Sequence, residues 1–227
     1  MAVLWALSPF VNAIVFTRVP MAKLMSADEK GMSLKELVKQ KLFWLFMLAM
    51  LCAGASEQAV SQWASAFAEM GLGVSKTMGD LMGPMFFAIC MGVARAFYGK
   101  YGEKIRLEKF MVGCCLLCIA SYLIVSLSPW PVLGLLGCGI CGFSVGIFWP
   151  GTFSLSAAAL RRGVSALFCL LALAGDMGCS LGPAVVGMVS GALEDNLKAG
   201  ILAAVIFPML LAVCVWLKKR SREQVVE

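Results

Sequence analysis

Six apolar runs, each about as long as a bilayer is thick, decide what this chain can fold into. They cover roughly residues 42–68, 79–98, 108–127, 131–159, 164–191 and 197–217. A helix rises about 1.5 Å per residue, so about 20 residues cross a hydrocarbon core of about 30 Å. Inside lipid no water is present to bond the backbone, so runs of this kind span as helices. Composition agrees. The 227 residues are 61% hydrophobic and 14% charged, whereas soluble domains have about 45–50% and about 25%. The expected fold class is all-α integral membrane, a six-helix transmembrane bundle. Residues 3–17 form a further, shorter run that ends at Arg18 and has no basic residue before it, unlike a signal peptide. The expected division is a short partial transmembrane helix at 1–17, a loop with a short amphipathic helix at 18–41, the bundle at 42–217 and a tail at 218–227. The short run is numbered one here, and the six long runs two to seven.

Charge alternates from loop to loop. Arg18, Lys23, Lys30, Lys35, Lys39 and Lys41 follow run one, and Lys100, Lys104, Arg106 and Lys109 follow run three. Arg161 and Arg162 follow run five, and Lys218, Lys219, Arg220 and Arg222 follow run seven. The other connections hold Lys76 and Lys198 against Glu69, Asp80, Glu194 and Asp195. Cytoplasmic loops carry the Lys and Arg excess, so the first set is expected in the cytoplasm. The C-terminus is then inside, in a plasma or cell inner membrane. The net charge of +6 reflects this sidedness and gives no reason to expect nucleic acid. The first residue then lies outside, as expected if run one is the end of a helix from a longer chain.

Several chemistries are excluded or disfavoured. The chain has no His, which removes His-based acid–base catalysis, His-ligated zinc and His-ligated haem. Its ten cysteines, including the C-x-x-C pairs Cys115/Cys118 and Cys138/Cys141, fall inside apolar runs. Zinc knuckles of that spacing sit in polar loops, so these are read as small packing residues. GLGVSKT at 71–77 has no Gly before Lys76 and the wrong spacer for a phosphate loop. No cofactor or metal is expected.

Run two carries a polar stripe. On a helix Gly54, Glu57, Gln58, Ser61, Gln62 and Ser65 share one face, and Ala55, Ala59, Val60, Trp63 and Ala66 lie between them. A carboxylate in mid-membrane costs at least about 2.5–3.5 kcal/mol, so this face avoids lipid. Either it lines a solute or ion pathway, or it is consumed by interhelical hydrogen bonds. Two further charges lie at membrane depth. Arg95, near the end of run three, is expected to snorkel to the interface. Asp176 in run six either holds a solute or ion, or pairs with a basic group or caps a distorted helix near Pro183. Trp149 beside Pro150 is a stacking surface or a packing residue. Gly142/Gly146, Gly178/Gly182 and Gly187/Gly191 have GxxxG spacing, which suits close helix packing. Pro150 and Pro183 are expected to break or kink their helices.

GVARAFYGKYGEKIR (92–106) resembles the Gly/Arg-rich cytoplasmic loop between helices eight and nine of the major facilitator superfamily. Arg95, Gly99, Gly102 and Glu103 carry that likeness. Where the motif usually has an Asp, this loop offers only Glu103. SVGIFWPGTFSLSA and AGDMGCSLGPAVVG are similar to the superfamily's helices ten and eleven, and GASEQAVSQW to helix seven of its fucose/sugar permease branch. The resemblance implies the C-terminal six-helix half of a twelve-helix transporter, with run one the end of helix six. It implies alternating access for a small polar solute such as a sugar, coupled to proton or sodium. It places Glu57, Gln58, Gln62, Trp149 and Asp176 on this half's side of the site, and a missing amino-terminal half or partner chain opposite. The alternative is a non-transporting membrane scaffold whose polar stripe is used up in helix contacts. A membrane enzyme has no nucleophile–base pair to rest on.

In a background without native cysteines, Met25→Cys and Asp195→Cys are expected to react with an impermeant thiol reagent from opposite sides. Labelling of both from one side would overturn the charge-based topology.

Overall fold

Lipid requires every backbone group to be bonded within the protein, and the regular elements among the described residues are all helical. The structure is a computed structural model that describes residues 2–19, 32–160 and 164–223. It divides into two units, residues 1–31 and 32–227. In the first, α1 (Ala2–Phe16) carries Pro9, and the Thr17 hydroxyl closes its end by donating to the Ile14 carbonyl at 2.6 Å.

The second unit starts with α2 (Leu34–Lys39), the described part of the amphipathic helix expected in 18–41; residues 20–31 of that loop lie outside the described residues. Ser33 and Glu36 cap it reciprocally, through Glu36 N to Ser33 Oγ at 3.3 Å and Ser33 N to Glu36 Oε2 at 3.0 Å. Leu37 is buried while its helical neighbours are exposed.

Six helical stretches are long and apolar enough to cross a membrane: Lys41–Met70, Lys76–Lys104, Leu107–Leu127, Pro131–Ala159, Ala166–Ala192 and Leu197–Arg220. They match the six long runs, and several are interrupted. The first is α3 (Lys41–Ser61) and α4 (Ala64–Leu72), parted at Gln62 and Trp63. The second is α5 (Lys76–Asp80), a π-helical turn at Leu81–Met85 containing Pro84, α6 (Phe86–Tyr101) and a short 3₁₀ turn at Gly102–Lys104. α7 (Leu107–Leu127) is unbroken. α8 (Pro131–Val145) and α9 (Phe148–Ala159) part at Gly146 and Ile147, just before Pro150. α10 (Val164–Ala192) runs on through Pro183, so the expected break there is absent. α11 (Leu197–Ala203) and α12 (Ile206–Glu223) complete the chain.

α3 is the central helix. Its contact with α10 is backbone on backbone. A Cβ on Gly54 would collide with the Gly175 carbonyl, one on Gly178 with the Leu51 carbonyl, and one on Gly182 with the Ala55 carbonyl. The α8–α6 contact has the same character, with Gly142 against the Phe87 backbone. Glycine at these points allows the approach that van der Waals packing in lipid needs. Cys52, Cys114, Cys115, Cys118, Cys138, Cys141 and Cys214 are buried free thiols in the core. The buried Tyr122 hydroxyl ties α7 to α3 by donating to the Ser56 carbonyl at 2.8 Å. Lys218 of α12 pairs with Glu108 of α7, the two side chains 10% and 15% exposed.

Gly178→Ala is expected to lower stability by about 1–3 kcal/mol, because the atom it would strike is backbone and cannot swing away. Gly191→Ala meets nothing within 4 Å and is expected to be neutral or to stabilise by up to about 1 kcal/mol. Thermal unfolding in detergent compares the two.

Candidate functional site at the polar face of α3

One face of α3 is closed by its neighbours and the other is left accessible. Ala55, Ala59 and Val60 are buried, Glu57, Gln58 and Ser61 are half-buried, and Gln62 is exposed. Gly54, expected to belong to the accessible stripe, is instead buried against α10. Its lack of a side chain serves helix packing. At the break that follows, the Trp63 indole N–H donates to the Pro183 carbonyl at 3.3 Å and ties the bend to α10. Ser65, the last residue of the stripe, reaches Glu69 at 3.2 Å and Asp80 at 2.5 Å. It belongs to a polar link between α4 and α5.

Glu57 faces a cation that sequence position did not assign to it. The Arg95 Nη2 lies 3.9 Å from Glu57 Oε2, with the side chains 48% and 14% exposed. That oxygen is buried and accepts no hydrogen bond. Arg95 Nε donates to the Gly146 carbonyl at 3.2 Å. Arg95 thus meets one carbonyl acceptor and one carboxylate while about half of its side chain stays exposed. The pair brings runs two, three and five together around one carboxylate.

Trp149 stands on the same side of α10. A Cβ on Gly175 would meet its indole ring, the closest atom at 2.5 Å, so the bare Gly175 backbone makes room for it. The indole Nε1 is buried and has no hydrogen-bond partner. The ring leans on Phe153 at 6.2 Å, and Phe153 meets Phe168 edge-on at 4.9 Å. These aromatics flank an open groove of about 730 Å³ walled by Phe153, Ser154, Phe168 and Cys169. Asp176 is exposed on α10 and makes no ion pair among the described residues. Glu57 and Asp176 are both within electrostatic reach of Cys179.

Gly99, Gly102 and Glu103 stay apart from this cluster. They lie at and just beyond the end of α6, where Gly102 rests on the Tyr98 ring and Tyr98 stacks on Phe110 at 5.8 Å. Glu103 is exposed. Of the expected residues the structure joins Glu57 to Arg95, leaves Gln58 and Gln62 accessible on the same stretch of chain, seats Trp149 against α10 at Gly175 and leaves Asp176 exposed on α10. The Gly146 carbonyl and Gly175 are contacts that the sequence did not suggest. The one available signal was Pro150, four residues after Gly146. Among the described residues no group of His, Cys, Asp or Glu is arranged to hold a metal.

In a background without native cysteines, Gln58→Cys and Gln62→Cys are expected to react with a water-soluble thiol reagent, and Ala59→Cys to stay protected. Equal protection at all three would mean that this face is closed.

No curated protein matches the sequence. Two similar solved structures are a Major Facilitator Superfamily transporter, FucP, in the outward conformation, and a variant of the E. coli Fucose:proton symporter, FucP. The first superposes with a TM-score of 0.80 at 16% identity, over 92% of this chain and 51% of that one. The second gives 0.78 at 16% identity, over 92% and 52%. At such identity the likeness concerns the fold, and this chain spans about half the length of these transporters. The family profile described as Major Facilitator Superfamily matches residues 1–183. With six spanning helices folded as half of that architecture, the chain belongs to the major facilitator superfamily.

Proposed function

We propose that this chain is the C-terminal half of a secondary transporter that moves a small polar solute by alternating access. One observation carries this proposal: at membrane depth an acid and a base, Glu57 and Arg95, face each other at 3.9 Å with the guanidinium about half exposed. A pair kept only for stability is expected to be closed and fully bonded. Membrane-depth charges that stay accessible mark solute and ion pathways. Gln58 and Gln62 add amide donors and acceptors on the same face, and neither side chain bonds to another described residue. That argues against the scaffold alternative, in which helix contacts would use them up. Asp176, charged and exposed on α10, needs water or a polar partner in place of lipid. A complementary half across the accessible face would supply both.

A sugar-like solute and a coupling proton are favoured over other pairs because a similar structure is a Fucose:proton symporter, and sodium is the alternative ion. Trp149 contributes a ring and a free N–H, which suits a ligand with apolar faces and hydroxyl oxygens. The excess of Lys and Arg in alternate loops favours a cytoplasmic C-terminus, in a plasma or cell inner membrane. No step in this scheme makes or breaks a covalent bond, so the activity is transport and not catalysis.

Glu57→Gln tests the assignment, in proteoliposomes that hold this chain with its complementary half. It keeps size and hydrogen bonding and fixes the group neutral, so folding is retained. Gradient-driven uptake is expected to be lost at matched expression. Surviving solute exchange assigns the coupling ion to Glu57, and lost exchange assigns the solute. Normal gradient-driven accumulation would show that Glu57 serves structure alone.

A further inference from the structure

The break between α8 and α9 is a missing bond and not a turn. Gly146 has φ −53 and ψ −29, and Ile147 has φ −96 and ψ −10. Both lie in or beside the right-handed helical region, so the chain makes only a shallow bend there. In an unbroken helix the Gly146 carbonyl would accept from the N–H four residues on. That residue is Pro150. It has no N–H, and its ring crowds the carbonyl. Gly146 is buried, so its carbonyl needs a donor from within the protein. The donor comes from a different span: Arg95 Nε, at 3.2 Å. Gly146 itself is pressed onto that span, since a Cβ there would meet Ala94 and the Met91 carbonyl. The other end of the same guanidinium faces Glu57.

We propose that Arg95 is a positioning residue that ties the α8–α9 bend to Glu57. Its Nε replaces the amide that Pro150 withholds from Gly146, and this anchorage holds its outer nitrogen against the Glu57 carboxylate. An arginine suits the task because its planar fork donates to Gly146 from Nε while turning its charge toward Glu57, whereas a lysine offers one flexible point charge. Among the described residues, Arg95 of α6 is the cation that faces Glu57, and Cys179 of α10 is the other titratable group within its electrostatic reach. While Glu57 is charged, both ends of the guanidinium are held and the bend is clamped. When a proton or a solute neutralises or engages Glu57, one end is released and the bend loosens. The proposal rests on the transport assignment only for why the charge on Glu57 would change.

Hydrogen–deuterium exchange of the full chain in lipid nanodiscs tests the tie without transport. Arg95→Gln is expected to raise exchange across residues 144–152 by about fivefold, the effect of losing one net hydrogen bond. Pro150→Ala restores a donor to Gly146, so the double variant is expected to exchange like Pro150→Ala alone. Glu57→Gln is expected to raise exchange in the same segment, but not in the Pro150→Ala background. Arg95→Lys is expected to behave like Arg95→Gln, and full protection by lysine would show that a two-ended contact is not needed. An equal rise for Arg95→Gln with and without Pro150→Ala would overturn the anchor. An unchanged segment in Glu57→Gln would overturn the tie. A chain that shows the expected pattern yet moves no solute with its complementary half would refute the transport assignment and leave the tie standing.

Discussion

The contact between α3 and α10 is the one on which the rest of the bundle depends. In lipid no hydrophobic force drives helices together, so their association relies on close van der Waals fit. Gly54, Gly175, Gly178 and Gly182 let the two backbones touch. This contact also fixes the rotation of α3 about its axis. With Gly54 and Ala55 turned into α10, Glu57 and Gln58 are left half-buried. The same bare stretch of α10, at Gly175, gives the Trp149 indole its place. The polar face and the aromatic ring beside it are thus both consequences of a packing solution built from glycine.

Two ion pairs show how differently charge is treated within one bundle. Lys218 and Glu108 are mostly buried against each other where α12 meets α7. Removing one partner of such a pair costs about 3–5 kcal/mol, because the other charge is left alone in a poor solvent. Arg95 and Glu57 stand 3.9 Å apart with Arg95 about half exposed. Where solvent reaches, such a pair contributes only about 0–1 kcal/mol. Stability therefore explains the first pair well and the second poorly. The second leaves hydrogen-bonding capacity unused on both partners, which is what a group that exchanges partners requires.

Hydropathy made the six spans legible, because the length of an apolar run and the thickness of lipid are directly comparable. The polar stripe was legible from Glu57 to Gln62 by helical spacing alone. Gly54 was misplaced because a glycine reads equally as polar-face filler or as packing surface, and only the neighbouring helix decides. The partners of Arg95 were not legible because distance along a run predicts depth but not direction. A side chain that can snorkel outward can also turn inward if acceptors wait there. Those acceptors belong to Glu57 and Gly146, about forty and fifty residues away in sequence, and no spacing rule connects them. Pro183 was expected to break or kink its helix and leaves α10 unbroken, since neighbouring helices can hold a proline-bearing span continuous.

Two of the backbone interruptions in this bundle lie beside the polar residues. α3 parts from α4 at Gln62, one turn beyond Gln58, and α8 parts from α9 at the carbonyl that holds Arg95. Non-helical backbone at membrane depth survives only where protein or a water-filled cavity satisfies it. Trp63, just past the first break, is tied to α10 through its indole, and the second break is held by a charge. An indole bond to a carbonyl keeps its strength whatever ion or solute arrives. A guanidinium shared between a carbonyl and a carboxylate does not, because its second partner can be neutralised or replaced. A ligand shifts a conformational equilibrium only through contacts that differ between the two states. Of the two breaks, the one at Gly146 has such a contact built in, so the α8–α9 bend is the place where binding at Glu57 can be converted into a change of helix geometry.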